Sequence, residues 1–359
     1  MTHKPLGPVF AGDLHEEIDA LVKSSAISRQ SPLARRLMQL CGDRSVDTAE
    51  LAEVLEADPP LAARIIKTAN TTRQGAGIPA TNTMAAVQRL GRNRCLCLAL
   101  ASEVAESVGR RVESHFDFPR FWRDSLARAY VARTIALQCQ SAWADQAFLV
   151  ALLQDLGAAI LATRYGPLYA TLLRRSRGSQ VRLAVLESQA FKYNHIHVVV
   201  RLLERWRAPT LLIEAVGRHH TRPPFQCCVP SRLLLWQLSY FAGAIPIGRD
   251  RWPPFDDVTI PEMLLTTFGI EASMIGDMFR RTAQQFADSA GLFRSWLPGD
   301  TDVEQLFSLT AKFFSDQSAT MNMGAQGERV VVARTFRDSR QSVVREISGL
   351  SLGEKARTH

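Results

Sequence analysis

Leu51-Ala-Glu-Val-Leu-Glu-Ala-Asp58-Pro59-Pro60-Leu61-Ala-Ala-Arg64-Ile65-Ile66-Lys-Thr-Ala69-Asn70 holds two helices and the joint between them. Leu51, Val54 and Leu55 fall on one face at helical spacing, and Leu61, Ile65, Ile66 and Ala69 repeat the pattern after Asp58. Asp58 offers a side-chain acceptor to the free amides of a new helix, and Pro59 takes the first helical position, where its missing N–H costs nothing. The same punctuation recurs at Ser31-Pro32 and, without proline, at Asn194-His195. Periodicity predicts further helices over about 92–109, 119–140, 145–163, 195–206, 209–219, 231–243, 271–293 and 302–314. Strand-like character is confined to Val330-Val331-Val332. The chain reads as all-α.

Composition sets the outer bounds. The chain has 359 residues, of which 46% are hydrophobic and 22% charged, with 21 Gly and 17 Pro, so it can bury a core and is neither wholly disordered nor collagen-like. No run approaches the roughly 18 to 20 apolar residues that cross a bilayer, and the opening Met1-Thr-His-Lys-Pro-Leu-Gly-Pro8 has no apolar signal core. The expectation is a cytoplasmic protein with no membrane span. The net charge of +8 invites a nucleic-acid reading, but the basic residues are scattered in short clusters such as Arg92/Arg94, Arg110/Arg111, Arg174/Arg175/Arg177 and Arg280/Arg281. Such clusters read as solvated faces rather than a phosphate track, which leaves nucleic acid in third place. Cys41, Cys95, Cys97, Cys139, Cys227 and Cys228 fit no zinc spacing and read as reduced thiols.

Turn formers cluster in 71–83, 112–118, 222–230 and 248–261, and after Ser315 the small polar run from Ser318 to Gly327 reads as a linker. No internal repeat, phosphate-cradling glycine loop or Ser-His-Asp spacing is present.

Two blocks together resemble the HDOD family, regulatory relatives of the HD phosphohydrolases. The first is the quoted stretch followed by Ile78-Pro79 and by Ala86-Val87-Gln-Arg89-Leu90-Gly91; it is similar to the family's N-terminal helical signature. The second runs Phe121-Trp122-Arg123-Asp124-Ser125, then Phe148-Leu149-Val150-Ala-Leu152-Leu153-Gln154-Asp155-Leu156-Gly157, then Asn194-His195, and finally His219-His220, which matches the order and spacing of the HD half. The resemblance spans about residues 13–295. It implies an N-terminal helical lobe packed on an HD-type bundle, with a tail over 1–12, the lobe over 13–112, the HD-like bundle over 113–225, C-terminal helices completing it over 226–316, and a linker and tail over 317–359.

The departures bear on activity. In catalytic HD proteins a His-Asp pair, an earlier His and a later Asp hold one or two metals that activate water against a phosphoester. Gln154 stands in place of the His of that pair, Asp124 in place of the earlier His, and the later Asp falls near Ser239. A neutral Gln amide is a poor ligand for a divalent cation. The remnant positions are therefore Asp124, Gln154, Asp155, His195, His219 and His220, with no catalytic residue, no metal and no cofactor expected. The resemblance implies a non-catalytic bacterial signal-transduction protein, an adaptor standing alone and receiving its input in trans from two-component or cyclic-dinucleotide proteins. Its interaction surface is expected around Asn70, Arg73, Arg89 and Trp122, although Asn70 also reads as a local turn former and Trp122 as core. The alternatives are a residual metal-dependent phosphohydrolase and, behind it, a nucleic-acid binder.

Overall fold

The structure is a computed structural model that describes residues 12–42, 47–71, 78–108, 115–176, 178–224, 229–245 and 260–322. Side-chain acceptors start most of its helices. Asp47, Asp58, Asn82, Asp117, Ser179 and Asn194 each accept a first-turn backbone N–H, at α3 (Thr48–Glu56), α4 (Pro59–Thr71), α5 (Thr83–Leu90), α7 (Phe118–Gln138), α10 (Gln180–Phe191) and α11 (His195–Arg205) respectively. Gly91 ends α5 at φ 84°, the left-handed region that favours glycine, and α6 (Arg92–Val108) follows at once.

In the N-terminal lobe, α2 (Pro32–Gly42) packs on α6, and α3 and α4 both pack on α5. Leu51, Leu55, Leu61 and Ile65 are fully buried, each contributing about 1.5–3 kcal/mol of transfer free energy. The lobe meets the second half through α6 against α8 (Ala144–Leu153). That half pairs α7 with α8, α9 (Leu156–Ser176) with α10 and α11, and α12 (Thr210–Gly217) with α13 (Ser231–Ala244). The remaining elements tie the halves together. Helix α1 (Gly12–Ser24) packs on α11, where Arg201 pairs with Asp19 at 2.7 Å. Helix α15 (Ala272–Phe293) packs on both α4 and α7, with Thr71 donating to the Asp288 carbonyl at 2.7 Å, while α14 (Ile260–Phe268) and α15 both pack on α16 (Val303–Asn322). The C-terminal helices thus brace the N-terminal lobe as well as completing the bundle.

No β-strand occurs among the described residues, and the Val330–Val332 candidate lies outside them. Two expectations need correction. The 145–163 helix is two helices, broken at Gln154 and Asp155, because the apolar periodicity continues across a turn it does not register. The linker expected from Ser318 begins as helix: α16, anchored by buried Leu306 and Phe307, runs on to Asn322, since Ser and Ala cost under about 1 kcal/mol each in a helix already nucleated. Taken across that break, Ala144–Ser176 is long and apolar enough to cross a membrane by length and composition, and 89% of its apolar window is buried inside the protein.

Candidate functional site

The break between α8 and α9 creates the site. It turns Gln154 and Asp155 inward, and Gly157 lets α9 approach the first residue of α11, because a Cβ there would overlap the His195 carbonyl oxygen. Asn194 caps α11 and His197 returns the bond, its Nδ1 accepting from the Asn194 N–H at 3.0 Å, so His195 is fixed at the helix entrance. His219 and His220 follow α12. Asp155, His195, His219 and His220 bring one ligand atom each to within 4.8 Å of one another, and the first three are buried.

Their tautomers follow from their partners. His195 Nδ1–H donates to Glu187 Oε2 at 2.6 Å, and the His195 backbone N–H donates to the same oxygen at 2.9 Å. Tyr169 Oη–H donates to Glu187 Oε1 at 2.6 Å. Burial pulls the His195 pKa down, and Glu187 outweighs it, leaving the ring held above its ordinary value. His195 Nε2 lies 3.0 Å from His220 Nε2, and burial and the two neighbouring histidines hold His220 well below its ordinary pKa. His219 Nδ1–H donates to the Val216 carbonyl at 2.6 Å, which aims its Nε2 at Asp155 Oδ1, 3.4 Å away. A bond of this kind from the other ring nitrogen commonly orients a metal-ligating histidine.

Arg128 supplies the opposing charge. Its Nη2 donates to Asp155 Oδ2 at 2.7 Å, with both side chains more than nine-tenths buried. Burial raises the Asp155 pKa, but Arg128 first, then His219 and His195, hold its carboxyl well below the usual carboxylate range. Asp124 lines the same cavity and is engaged elsewhere: Arg123 grips its Oδ1 through Nε at 2.9 Å and Nη2 at 2.7 Å, and Asp124 is not in the four-residue cluster. Gln154 is fully buried with neither amide atom bonded, and Gly243 makes room for it, since a Cβ there would stand 2.9 Å from Gln154 Nε2. Ser239, in the place of the later Asp, donates to the Ala215 carbonyl at 3.1 Å. The four clustered donors suit a single divalent ion; the other positions of the catalytic pattern do not.

Sequence reading named the cluster and missed Arg128, Glu187 and Tyr169. Arg128 lies four residues after Asp124 on α7, a spacing that places both on one helix face and was its available signal. Glu187 comes from a helix not expected from periodicity. The expected interaction surface is only partly assembled. Trp122 is 2% exposed and belongs to the core, correcting its assignment to a surface. Asn70 closes the α4–α5 connection by binding both the N–H and the C=O of Ala80, at 2.8 and 2.9 Å. Arg89 Nη1 donates to the Ile78 carbonyl at 3.2 Å, beside an Ile78 side chain that is 92% exposed. Arg73, Cys227 and Cys228 lie outside the described residues.

The HDOD domain family model matches residues 27–222. Three solved structures share the fold. An HDOD domain protein of unknown function from Geobacter sulfurreducens is 18% identical, with a TM-score of 0.62 over 78% of this chain and 97% of its own. A protein provisionally named a signal transduction protein, from Marinobacter aquaeolei, is 19% identical, with a TM-score of 0.58 over 78% of this chain and 66% of its own. One provisionally named a phosphohydrolase, from Shewanella amazonensis, is 17% identical, with a TM-score of 0.51 over 86% of this chain and 98% of its own. No curated protein matches the chain.

Proposed function

The chain belongs to the HDOD family, and on that footing we propose that it is a non-catalytic signalling module whose output is contact with other signalling proteins. The observation that carries this reading is the buried pairing of Arg128 with Asp155 at 2.7 Å. HD-type hydrolysis asks a metal ion to lower the pKa of bound water and to stabilise charge on the phosphoryl group, a task of several kcal/mol. Here a fixed guanidinium already neutralises the carboxylate that would anchor such an ion, and it offers no exchangeable position for water. Gln154 adds neither charge nor a strong ligand.

The corner formed by Asn70, Ile78 and Arg89 is the surface we assign to a partner in a two-component or cyclic-dinucleotide pathway, in the cytoplasm. Charge reversal at Arg89 should weaken capture of that partner from the native host while the chain stays folded by circular dichroism.

A second reading, residual metal-dependent phosphohydrolase, draws support from the four converging donors. Asp155, His195, His219 and His220 would hold the ion, which would supply Lewis-acid charge to a phosphoester. The test between the two is turnover. The purified chain supplied with Mn(II), Mg(II) or Fe(II) should release no product from nucleotides, cyclic dinucleotides or a generic phosphodiester beyond an Asp155→Ala control. Turnover that vanishes in that control would establish the second reading. A gain of activity on placing His at both 154 and 124 would support the first.

A further inference from the structure

A cavity of about 940 Å³ opens beside the Asp155 turn, at the upper end of the range for small-ligand pockets. We propose that it binds a phosphate ester carrying a planar ring, in the size class of a nucleoside monophosphate, as a regulatory ligand that is held and not cleaved. The last clause rests on the non-catalytic reading; the binding itself does not.

Charge comes first. Asp117, Asp124 and Asp155 all line the cavity, and each is already engaged: Asp117 accepts the Arg120 backbone N–H at 3.0 Å, Asp124 is gripped by Arg123, and Asp155 by Arg128. Arg120 on the first turn of α7 and Arg182 on the first turn of α10 also line it, are exposed, and make no side-chain hydrogen bond or ion pair among the described residues. Asp117 caps a backbone amide and keeps its charge, and set against it Arg120 and Arg182 still leave the wall with an excess of positive charge.

Two further groups on the same wall suit an anion. The N-terminus of the twelve-residue α10 forms part of the wall. Ser179 caps the Arg182 N–H, and the Gln180 and Val181 amides have no intrahelical acceptor. Deeper in, Arg128 is more than nine-tenths buried, and its Nε has no partner once Nη2 has bonded to Asp155. An unsatisfied buried guanidinium N–H is unfavourable, and a bound acceptor would relieve it. Phosphate is the anion whose several oxygens can be shared by separate arginines and helix-end amides.

The wall also has an apolar part, beside His219, His220 and Arg222. Val181 and Val185 remain 47% and 52% exposed on the cavity side of α10, and Phe121 and Tyr240 are half-buried at its edge. A ring attached to the phosphate would cover this surface. Inorganic phosphate would fill only the charged end.

Isothermal titration of the full chain tests this with the four ribonucleoside monophosphates, adenosine, ribose 5-phosphate and inorganic phosphate. At least one monophosphate should bind with one site per chain, and its parent nucleoside, ribose 5-phosphate and inorganic phosphate should each bind at least about tenfold more weakly. Arg120→Glu and Arg182→Glu, both at exposed positions, should each lower that affinity about tenfold or more while the thermal midpoint stays in place. No saturable binding of any monophosphate at millimolar concentration, or affinity indifferent to both reversals, would overturn the pocket. Equal binding of the nucleoside would overturn the phosphate contact, and equal binding of inorganic phosphate would overturn the ring contact. Release of inorganic phosphate from the bound monophosphate would overturn the non-catalytic reading alone.

Discussion

Replacing Arg128 by Met isolates the interaction on which catalytic silence is argued to depend. The Arg128 and Asp155 side chains are 7% and 3% exposed, so solvent does little to screen either charge. Removing one partner leaves a buried carboxylate facing two histidines and an uncharged amide, a change that costs about 3–5 kcal/mol at comparable sites. For a described fold of this size the unfolding entropy makes each kcal/mol worth roughly 1.5 °C, so the midpoint should fall by about 5–8 °C in differential scanning calorimetry at pH 7. Acid should relieve part of the deficit. With Arg128 present, the folded pKa of Asp155 lies below its unfolded value, so its contribution is present above about pH 4 and is lost as pH falls through the folded value. Without Arg128 the folded value rises, the carboxyl takes up a proton, and the difference from wild type should narrow between pH 7 and pH 5. The double change Arg128→Met with Asp155→Leu removes both charges and should recover to within about 1 kcal/mol of wild type. A single-variant loss below about 1 kcal/mol, or a double variant no better than the single, would refute the reasoning.

Gly157→Ala should cost more than about 3 kcal/mol or prevent folding, read by urea titration, because its Cβ meets backbone at His195 rather than a movable side chain. Asn70→Ala removes both bonds to Ala80 and should cost about 1–2 kcal/mol by the same titration. His220 is half-buried against His195 and His219 and held below its ordinary pKa, so the unfolded chain binds its proton first; stability should decline as pH falls below about 6.5, and His220→Gln should flatten that decline in a midpoint-against-pH series.

Helix starts were legible because a cap needs only local chemistry: Asp58-Pro59, Ser31-Pro32 and Asn194-His195 each begin a helix where read. The cluster members were legible through resemblance, and three of the four are histidines that α11 and the end of α12 bring together. What the cluster does depends on groups that no local pattern couples to it. Arg128 sits on α7 and Glu187 on α10, and only the packed bundle sets one against Asp155 and the other behind His195. The break at Gln154 was hidden for a related reason. Leu152, Leu153, Leu156, Ala159 and Ile160 are all buried, so an apolar pattern runs unbroken past a turn whose two polar side chains face the same interior.

Metal content of the purified chain is the sharpest test of the claim that Arg128 neutralises Asp155 in place of an ion. After equilibration with Mn(II), Fe(II) or Zn(II) and removal of free metal, elemental analysis should find well under one equivalent in wild type, and more in Arg128→Met, where the carboxylate is released to the three histidines. One firmly held equivalent in wild type that disappears in Asp155→Ala would contradict it.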